Sequence, residues 1–296
     1  MDYTKTTKRM KRREFIHTSM AGAALLSLPS FMLPPKRKMG LQLYSLRDVI
    51  KDDPKGILKK VAEFGYKELE AYSYDGGKIF GMKYKEFTDF AKALGMRVTS
   101  GHYAFGKSES TKATQGSVIN GWEKAVSDAK ESGQEFMVMP YLFADERNDY
   151  KGVCDALNKA GEVCNQYGIR LNYHNHDFEF EQFEGQVAYH LMLKELDPKM
   201  VGMEMDLYWM YVAGQDPLEY FAKYPGRFEQ WHVKDMDKAN PRKQADVGTG
   251  KIDFKSIFAK SDQSGMKHFY IEQEQYPSSS VESIKNSIVN LRKALK

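Results

Sequence analysis

The chain repeats one local pattern: an amphipathic helical stretch, a glycine, then a short β-type run. Such glycines precede β runs at Gly65 (66–70), Gly95 (96–100), Gly133 (136–139), Gly168 (169–173) and Gly265 (268–271). Glycine suits the position just past a helix, where the chain turns left-handed at no steric cost. The first four glycines stand 30, 38 and 35 residues apart, and the last gap of 97 leaves room for further units of that size. Runs at 200–206, after a helix ending near Leu196, and at 228–233, after one ending near Tyr224, fill that gap. An opening strand over 39–44 brings the count to eight. Ile57, Leu58, Val61 and Phe64 follow Pro54 at helical spacing, and Ile284, Ile288, Leu291 and Leu295 close the chain in the same way. Eight strand–helix units in about 255 residues predict an α/β fold, a single (β/α)8 TIM barrel. A doubly wound open sheet is the alternative, but 42–48 after the first strand contains no glycine to cradle a phosphate. The stretches 106–116 and 237–250 read as long loops from strand to helix, which carry function in a barrel.

Composition matters chiefly for where the charge sits. The formal net charge is +4, from 44 basic and 40 acidic residues in 296. Residues 1–35 hold six basic side chains and two acidic ones, the whole excess, so 36–296 is formally neutral. Within that segment Arg12-Arg13-Glu14-Phe15-Ile16 precedes a short apolar run, 20–33, and a Pro-rich end. This reads as an export signal resembling a twin-arginine leader, with a barrel domain over 36–296 in a periplasmic or other extracytoplasmic compartment. The run is too short and interrupted for stable membrane insertion. Cys154 and Cys164 share one predicted helix, which excludes a disulfide scaffold. A neutral domain lacks the basic footprint of a nucleic-acid binder. Nothing in the sequence fixes the oligomeric state, and a homo-oligomer is compatible with it.

Side chains two apart on a strand share a face. Near the strand ends this pairs Gln42 with Tyr44, Glu68 with Glu70, Ser100 with His102 and His174 with His176. Likewise it pairs Glu204 with Asp206, His232 with Lys234 and Glu272 with Glu274. A barrel that is polar inside toward one end has its active-site mouth there. His268, at the start of its strand, reads instead as a paired core charge. Burying two histidines, an aspartate and a glutamate with no common partner costs several kcal/mol per charge. A shared divalent metal removes that cost, and mixed N/O ligands suit Mn²⁺, Zn²⁺, Co²⁺ or Fe²⁺ better than Ca²⁺.

The segments 40–45, 168–179, 205–206, 231–235, 247–250 and 271–274 together resemble the xylose isomerase-like TIM barrel superfamily of sugar phosphate isomerases and epimerases. That resemblance implies metal ligands from strands five to eight. Asp206, His232 and Glu272 match directly, and His174 stands where the family has a glutamate. The change from Glu removes one of the two carboxylates that move the proton in simple epimerisation. The Tyr-His-Asn-His and His-Val-Lys-Asp segments look more like the inosose dehydratase and keto-sugar lyase branch.

The chemistry implied is removal of a proton beside a carbonyl of a sugar or keto-sugar by a metal-dependent isomerase or epimerase. The base should have a pKa near working pH, which suits His176 or Lys234, with Glu274 in reserve. Tyr44, Glu70 and His102 are expected to hold sugar hydroxyls. A lyase or dehydratase acting on a keto-sugar, 3-keto-glycoside or inosose is the first alternative. An exported sugar-binding protein on a retained barrel is the second. The superfamily's abasic-DNA endonucleases carry more histidines, and Trp209 stands three residues past Asp206 where they place one.

Overall fold

Side chains that alternate between a polar and an apolar face build the barrel strand by strand. The computed structural model describes Met1 and residues 38–296, so the export signal read over 1–35 lies, Met1 apart, outside the described residues. The strands are β1 (Gly40–Gln42), β2 (Glu68–Ala71), β3 (Arg97–Gly101), β4 (Phe136–Met139), β5 (Arg170–His174), β6 (Val201–Asp206), β7 (Phe228–Val233) and β8 (His268–Ile271). They are all parallel and lie in the order β3-β2-β1-β8-β7-β6-β5-β4. Sequence neighbours are therefore spatial neighbours throughout, which a doubly wound sheet does not allow. The two ends of the sheet meet through a bridge between His102 and Val138. Tyr103 N–H donates to Val138 O (2.8 Å) and Glu135 N–H to Thr99 O (2.9 Å), which closes the ring.

One boundary departs from expectation. The first strand stops at Gln42 and does not run to Tyr44. The Gln42 side chain accepts a hydrogen bond from Tyr44 N–H (2.9 Å) and turns the chain into a single 3-10 turn, Leu43–Leu46. Tyr44 thus leaves the sheet.

Helices return the chain outside the ring: α1 (Pro54–Phe64), α2 (Tyr84–Ala93), α3 (Trp122–Glu131), α4 (Tyr150–Gln166), α5 (Ala188–Glu195), α6 (Pro217–Lys223), α7 (Phe254–Phe258) and α8 (Ser280–Ala294). Asp53, Asp149, Asp216, Asp253 and Ser279 cap α1, α4, α6, α7 and α8 through their side chains, satisfying amides that a helix start leaves unpaired. The five glycines of the repeat have φ between 68° and 94°. Cys154 and Cys164 both lie on α4, free and buried. No helix among the described residues is long and apolar enough to cross a membrane.

The apolar core lies between sheet and helices. Leu69, Leu171, Met203, Trp231, Val233 and Ile271 point outward and are fully buried, each stabilising the fold by roughly 1.5–3 kcal/mol. Trp231 stacks on Phe221 of α6 with ring centroids 5.0 Å apart. The inside of the ring is polar at every level. At the base His268 sits 2.7 Å from Glu68, as a paired core charge should. In the middle Thr99 meets Tyr270 (2.8 Å) and Asn172 donates to Gln230 (2.7 Å).

Two carboxylates fix the loops over the mouth. Glu146 accepts from the amides of Lys107, Ser108 and Phe143, joining the loop after β3 to the loop after β4. Asp235 accepts from the amides of Met236, Gly248, Gly250 and Ile252. A Cβ at Gly250 would stand 2.3 Å from the Asp235 carboxylate, so the loop closes on it only with glycine there. Between these contacts a two-stranded ribbon, Asp235–Met236 with Gln244–Ala245, carries the exposed turn.

Candidate metal centre and substrate cavity

The two-residue period of a strand is what brings the site together. Glu70 comes from β2, Ser100 from β3, His174 from β5, Glu204 and Asp206 from β6, and His232 from β7. His102, His176, Lys234, Glu272 and Glu274 lie just beyond the ends of their strands.

The side chains form two tiers. In the lower one the Glu70 carboxylate meets Gln42 (2.7 Å), Ser100 (2.6 Å), His102 (3.0 Å) and His232 (2.5 Å). Glu204 Oε2 stands 3.4 Å from His102 Nε2, 3.1 Å from His174 Nδ1 and 3.2 Å from His232 Nε2. In the upper tier His232 Nδ1 lies 2.7 Å from Glu272, and His174 Nε2 lies 3.6 Å from Asp206. Lys234 Nζ is 2.9 Å from Asp206, 2.7 Å from Glu272 and 2.5 Å from Glu274.

Burial and these neighbours set the protonation states. Burial alone would lower the Lys234 pKa, but Asp206, Glu272 and Glu274 outweigh it and hold the ammonium well above its usual range. Burial likewise opposes the charged form of Glu272, yet Lys234 and His232 bring its pKa down. Burial and the adjacent Glu70 carboxylate push Glu204 up to about 7. Burial, reinforced by His232, holds His174 well below its ordinary value. His176 is also held low, by burial and the nearby Lys234 ammonium, and so stays a neutral imidazole. Burial would lower His102 as well, but Glu70 reverses this and raises it to about 9.

Two overlapping sets of donors could hold a metal. His102, His174, Glu204 and His232 form one, and Asp206, His232 and Glu272 the other, the ligand atoms of each lying within 4.8 Å of one another. The separations of Glu204 Oε2 from three imidazole nitrogens match the edge, about 3.4 Å, of a tetrahedron with metal–ligand bonds near 2.0–2.1 Å. Glu204 Oε1 is fully buried and has no hydrogen-bond partner, which fits a carboxylate arranged for a cation. The four expected ligands thus divide between the sets: His174 in the first, Asp206 and Glu272 in the second, His232 in both.

Sequence reasoning passed over Glu204 as a ligand. Its signal is its position two residues before Asp206 on the same strand face. Glu179 was also missed. Fully buried, it accepts from Tyr173 O–H (2.6 Å) and from His176 N–H (2.8 Å), anchoring the segment that carries His176.

A cavity of about 610 Å³ opens above this floor. His102, His174, His176, Lys234, Glu272 and Glu274 line its base, and Tyr44, Tyr72, Tyr74, Phe105, Tyr141 and Phe143 its walls. His176 packs against Tyr141, Phe178 and Trp209, and its Nδ1 has no hydrogen-bond partner. Tyr44 stands at the rim, on its 3-10 turn. Glu70, expected to hold a sugar hydroxyl, is fully buried beneath the cavity, with its oxygens taken up by Gln42, Ser100, His102 and His232. It braces those imidazoles from below.

Comparison with known proteins identifies the family and the fold. A sugar phosphate isomerase/epimerase from Parabacteroides distasonis is 30% identical, with a TM-score of 0.76 covering 90% of this chain and 97% of the other. An inosose dehydratase from Geobacillus thermodenitrificans is 27% identical over 154 residues, 46% of this chain; the match spans 50% of that curated relative's length. The IolI protein, solved with a zinc atom, shares the fold at 14% identity and a TM-score of 0.66, covering 87% of this chain and 98% of the other. The family profile matches over residues 58–294, and the chain belongs to the xylose isomerase-like TIM barrel family.

Proposed function

We propose that this barrel is a divalent-metal-dependent sugar isomerase or epimerase that removes a proton next to a carbonyl of an uncharged sugar or keto-sugar. The observation that carries this reading is a buried charge imbalance. Glu70, Glu204, Asp206, Glu272 and Glu274 face one lysine and three imidazoles at the base of a cavity. Burial at such density favours a further cation. His174, Asp206, His232 and Glu272 would hold it, with Glu204 and His102 contributing from below. Bound there, the ion supplies a Lewis acid toward a carbonyl and its neighbouring hydroxyl. Zinc receives support from the zinc-bearing neighbour of the same fold, and Mn²⁺, Co²⁺ and Fe²⁺ suit the same donors.

The chain's own groups do the rest. Neutral His176 at the cavity base accepts the carbon-bound proton, although burial and Lys234 hold its pKa below the value near working pH expected of the base from the sequence. The Lys234 ammonium, fixed by three carboxylates, donates to a developing oxygen charge. Glu274, partly open to solvent, exchanges the Lys234 proton. An uncharged substrate follows from the lining: its one lysine is already held by carboxylates, and Asp75, Glu272 and Glu274 repel a phosphate. Export through the twin-arginine-like leader is in keeping with this, and fractionation of cells expressing the full chain tests it.

A second reading, a lyase or dehydratase, draws on one feature. The imidazole of His174 replaces a carboxylate at the end of β5, so the site has a single base on that side and an ammonium suited to a departing hydroxyl. The inosose dehydratase relative is in keeping with it. A ¹H NMR time course in D₂O, with metal-stripped and Mn²⁺- or Zn²⁺-loaded protein and a panel of keto-sugars, inososes and 3-keto-glycosides, separates these readings. Deuterium entry with the skeleton kept marks an isomerase or epimerase, and an unsaturated product marks a lyase. Saturable binding without exchange makes the protein a sugar binder and overturns the catalytic reading.

A further inference from the structure

The cavity is larger than one sugar ring needs. A hexose of twelve non-hydrogen atoms fills about 200 Å³ at close-packed density. The cavity measures about 610 Å³. Six aromatic rings make up much of the wall, with Ser73, Asp75 and Thr114 among them, whereas the imidazoles, Lys234, Glu272 and Glu274 gather at the base.

Two of the wall residues are unusual in their exposure. Among the described residues of the barrel, the exposed large apolar or aromatic side chains are Tyr44, Ile119, Tyr141 and Val289, and both aromatic ones line this cavity. Each is braced. Tyr44 meets the edge of Tyr72 at 5.1 Å and carries the Arg47 guanidinium 4.7 Å from its ring centre. Arg47 is itself tied to Tyr276 O–H (2.6 Å) and to the Glu274 carbonyl (2.6 Å). Tyr141 meets Phe143 at 5.2 Å, Phe178 at 5.3 Å and His176 at 5.1 Å, all near perpendicular. Its hydroxyl accepts from Arg147 (2.8 Å). A guanidinium also lies over one face of each ring (Arg147 5.2 Å from the Tyr141 centre), so both rings are held in place while more than a third of each stays exposed to the cavity, as an aromatic platform requires.

From the volume and these two platforms we infer that the substrate carries a second ring: it is a glycoside, with the reacting sugar at the polar base and an aryl or sugar aglycone stacked at the tyrosine rim. The inference rests on the sugar reading above and narrows its substrate class. The stacked faces supply affinity without requiring charge, and the rim is open, so an aglycone of either kind is held by the same contact.

Isothermal titration of the metal-loaded protein with D-glucose, phenyl β-D-glucoside and cellobiose tests it without reference to turnover. The two-ring probes should bind about tenfold more tightly than glucose. Tyr44→Ala and Tyr141→Ala should each remove most of that advantage, lowering two-ring affinity several-fold more than glucose affinity, and Tyr44→Phe and Tyr141→Phe should keep it. Phenyl glucoside and cellobiose falling together in the alanine variants assigns the rim to any flat ring; loss for one alone identifies the aglycone. Equal affinity for one-ring and two-ring probes overturns the inference, as does an equal loss for glucose in the variants or the absence of saturable binding by either two-ring probe. None of these outcomes bears on deuterium exchange, so failure here is distinguishable from failure of the catalytic reading.

Discussion

Replacing Lys234 by methionine keeps the length and volume of the side chain and deletes one buried charge. Its ammonium lies 2.9 Å from Asp206 and 2.7 Å from Glu272, and the lysine is 1% exposed. At an effective dielectric of about 20, each contact is worth ~6 kcal/mol in gross Coulomb energy. Desolvation of the ammonium offsets most of that, and Glu274, partly in solvent, adds little. Removing one partner from such a cluster leaves uncompensated carboxylates, and the net loss should be about 3–5 kcal/mol. For a domain of this size that lowers Tm by roughly 10 °C. Urea unfolding of the metal-stripped protein at pH 8, followed by tryptophan fluorescence, measures it. The deficit should shrink at pH 5. In the variant, Asp206 and Glu272 lose their cation and their pKa values rise, so protonation relieves them, while in the native protein Lys234 and His232 keep Glu272 ionised and its pair intact. A divalent metal at one hundred times its Kd should restore about 3 kcal/mol, more than it adds to the native chain, where the ammonium competes for the same oxygens. A loss below about 1 kcal/mol, a deficit equal at both pH values, or no extra rescue by metal would refute the charge argument.

Glu179→Leu leaves the Tyr173 O–H and the His176 N–H without an acceptor, so the anchor of the His176 segment fails. Turnover should fall about tenfold or more with KM little changed, alongside a stability loss of ~1–3 kcal/mol, and steady-state kinetics beside a melting curve check both. At the opposite end of the barrel, burial alone would lower the His268 pKa, but Glu68 and Glu135 raise it above its ordinary 6.5. Its contribution is therefore full below pH 6.5 and fades as pH rises through the raised value. His268→Gln should cost about 1 kcal/mol or more at pH 6 and markedly less at pH 9 in chemical denaturation; a cost independent of pH would contradict the pairing.

The repeat of helix, glycine and strand was enough to locate all eight strands because each carries its own stop signal, as at Gly65 and Gly265, and an apolar outward face. The first strand was overextended because its end depends on the Gln42 side chain folding back on the Tyr44 amide, a contact no periodicity records. Inward pairs such as Glu204 and Asp206 were visible as pairs. Their vertical order was not, because tier depends on strand register, and only register shows that Glu204 meets His102 and His174 from below. Glu70 was misplaced for the same reason, lying one level beneath the cavity. Lys234 was expected from the sequence to act as an acid or base; that its ammonium stands between Asp206 and Glu272 depends on β7 lying between β6 and β8 in the ring, which one strand's pattern does not record.

The way Asp235 gathers four backbone amides has a consequence for engineering. The ribbon it anchors ends in an exposed turn, 238–243, whose flanks are pinned on both sides. Residues added or exchanged in that turn need not displace Lys234, the next residue back along the chain. The loop after β7 can therefore be lengthened or exchanged at one point while Lys234 stays in register and the floor is left as it is.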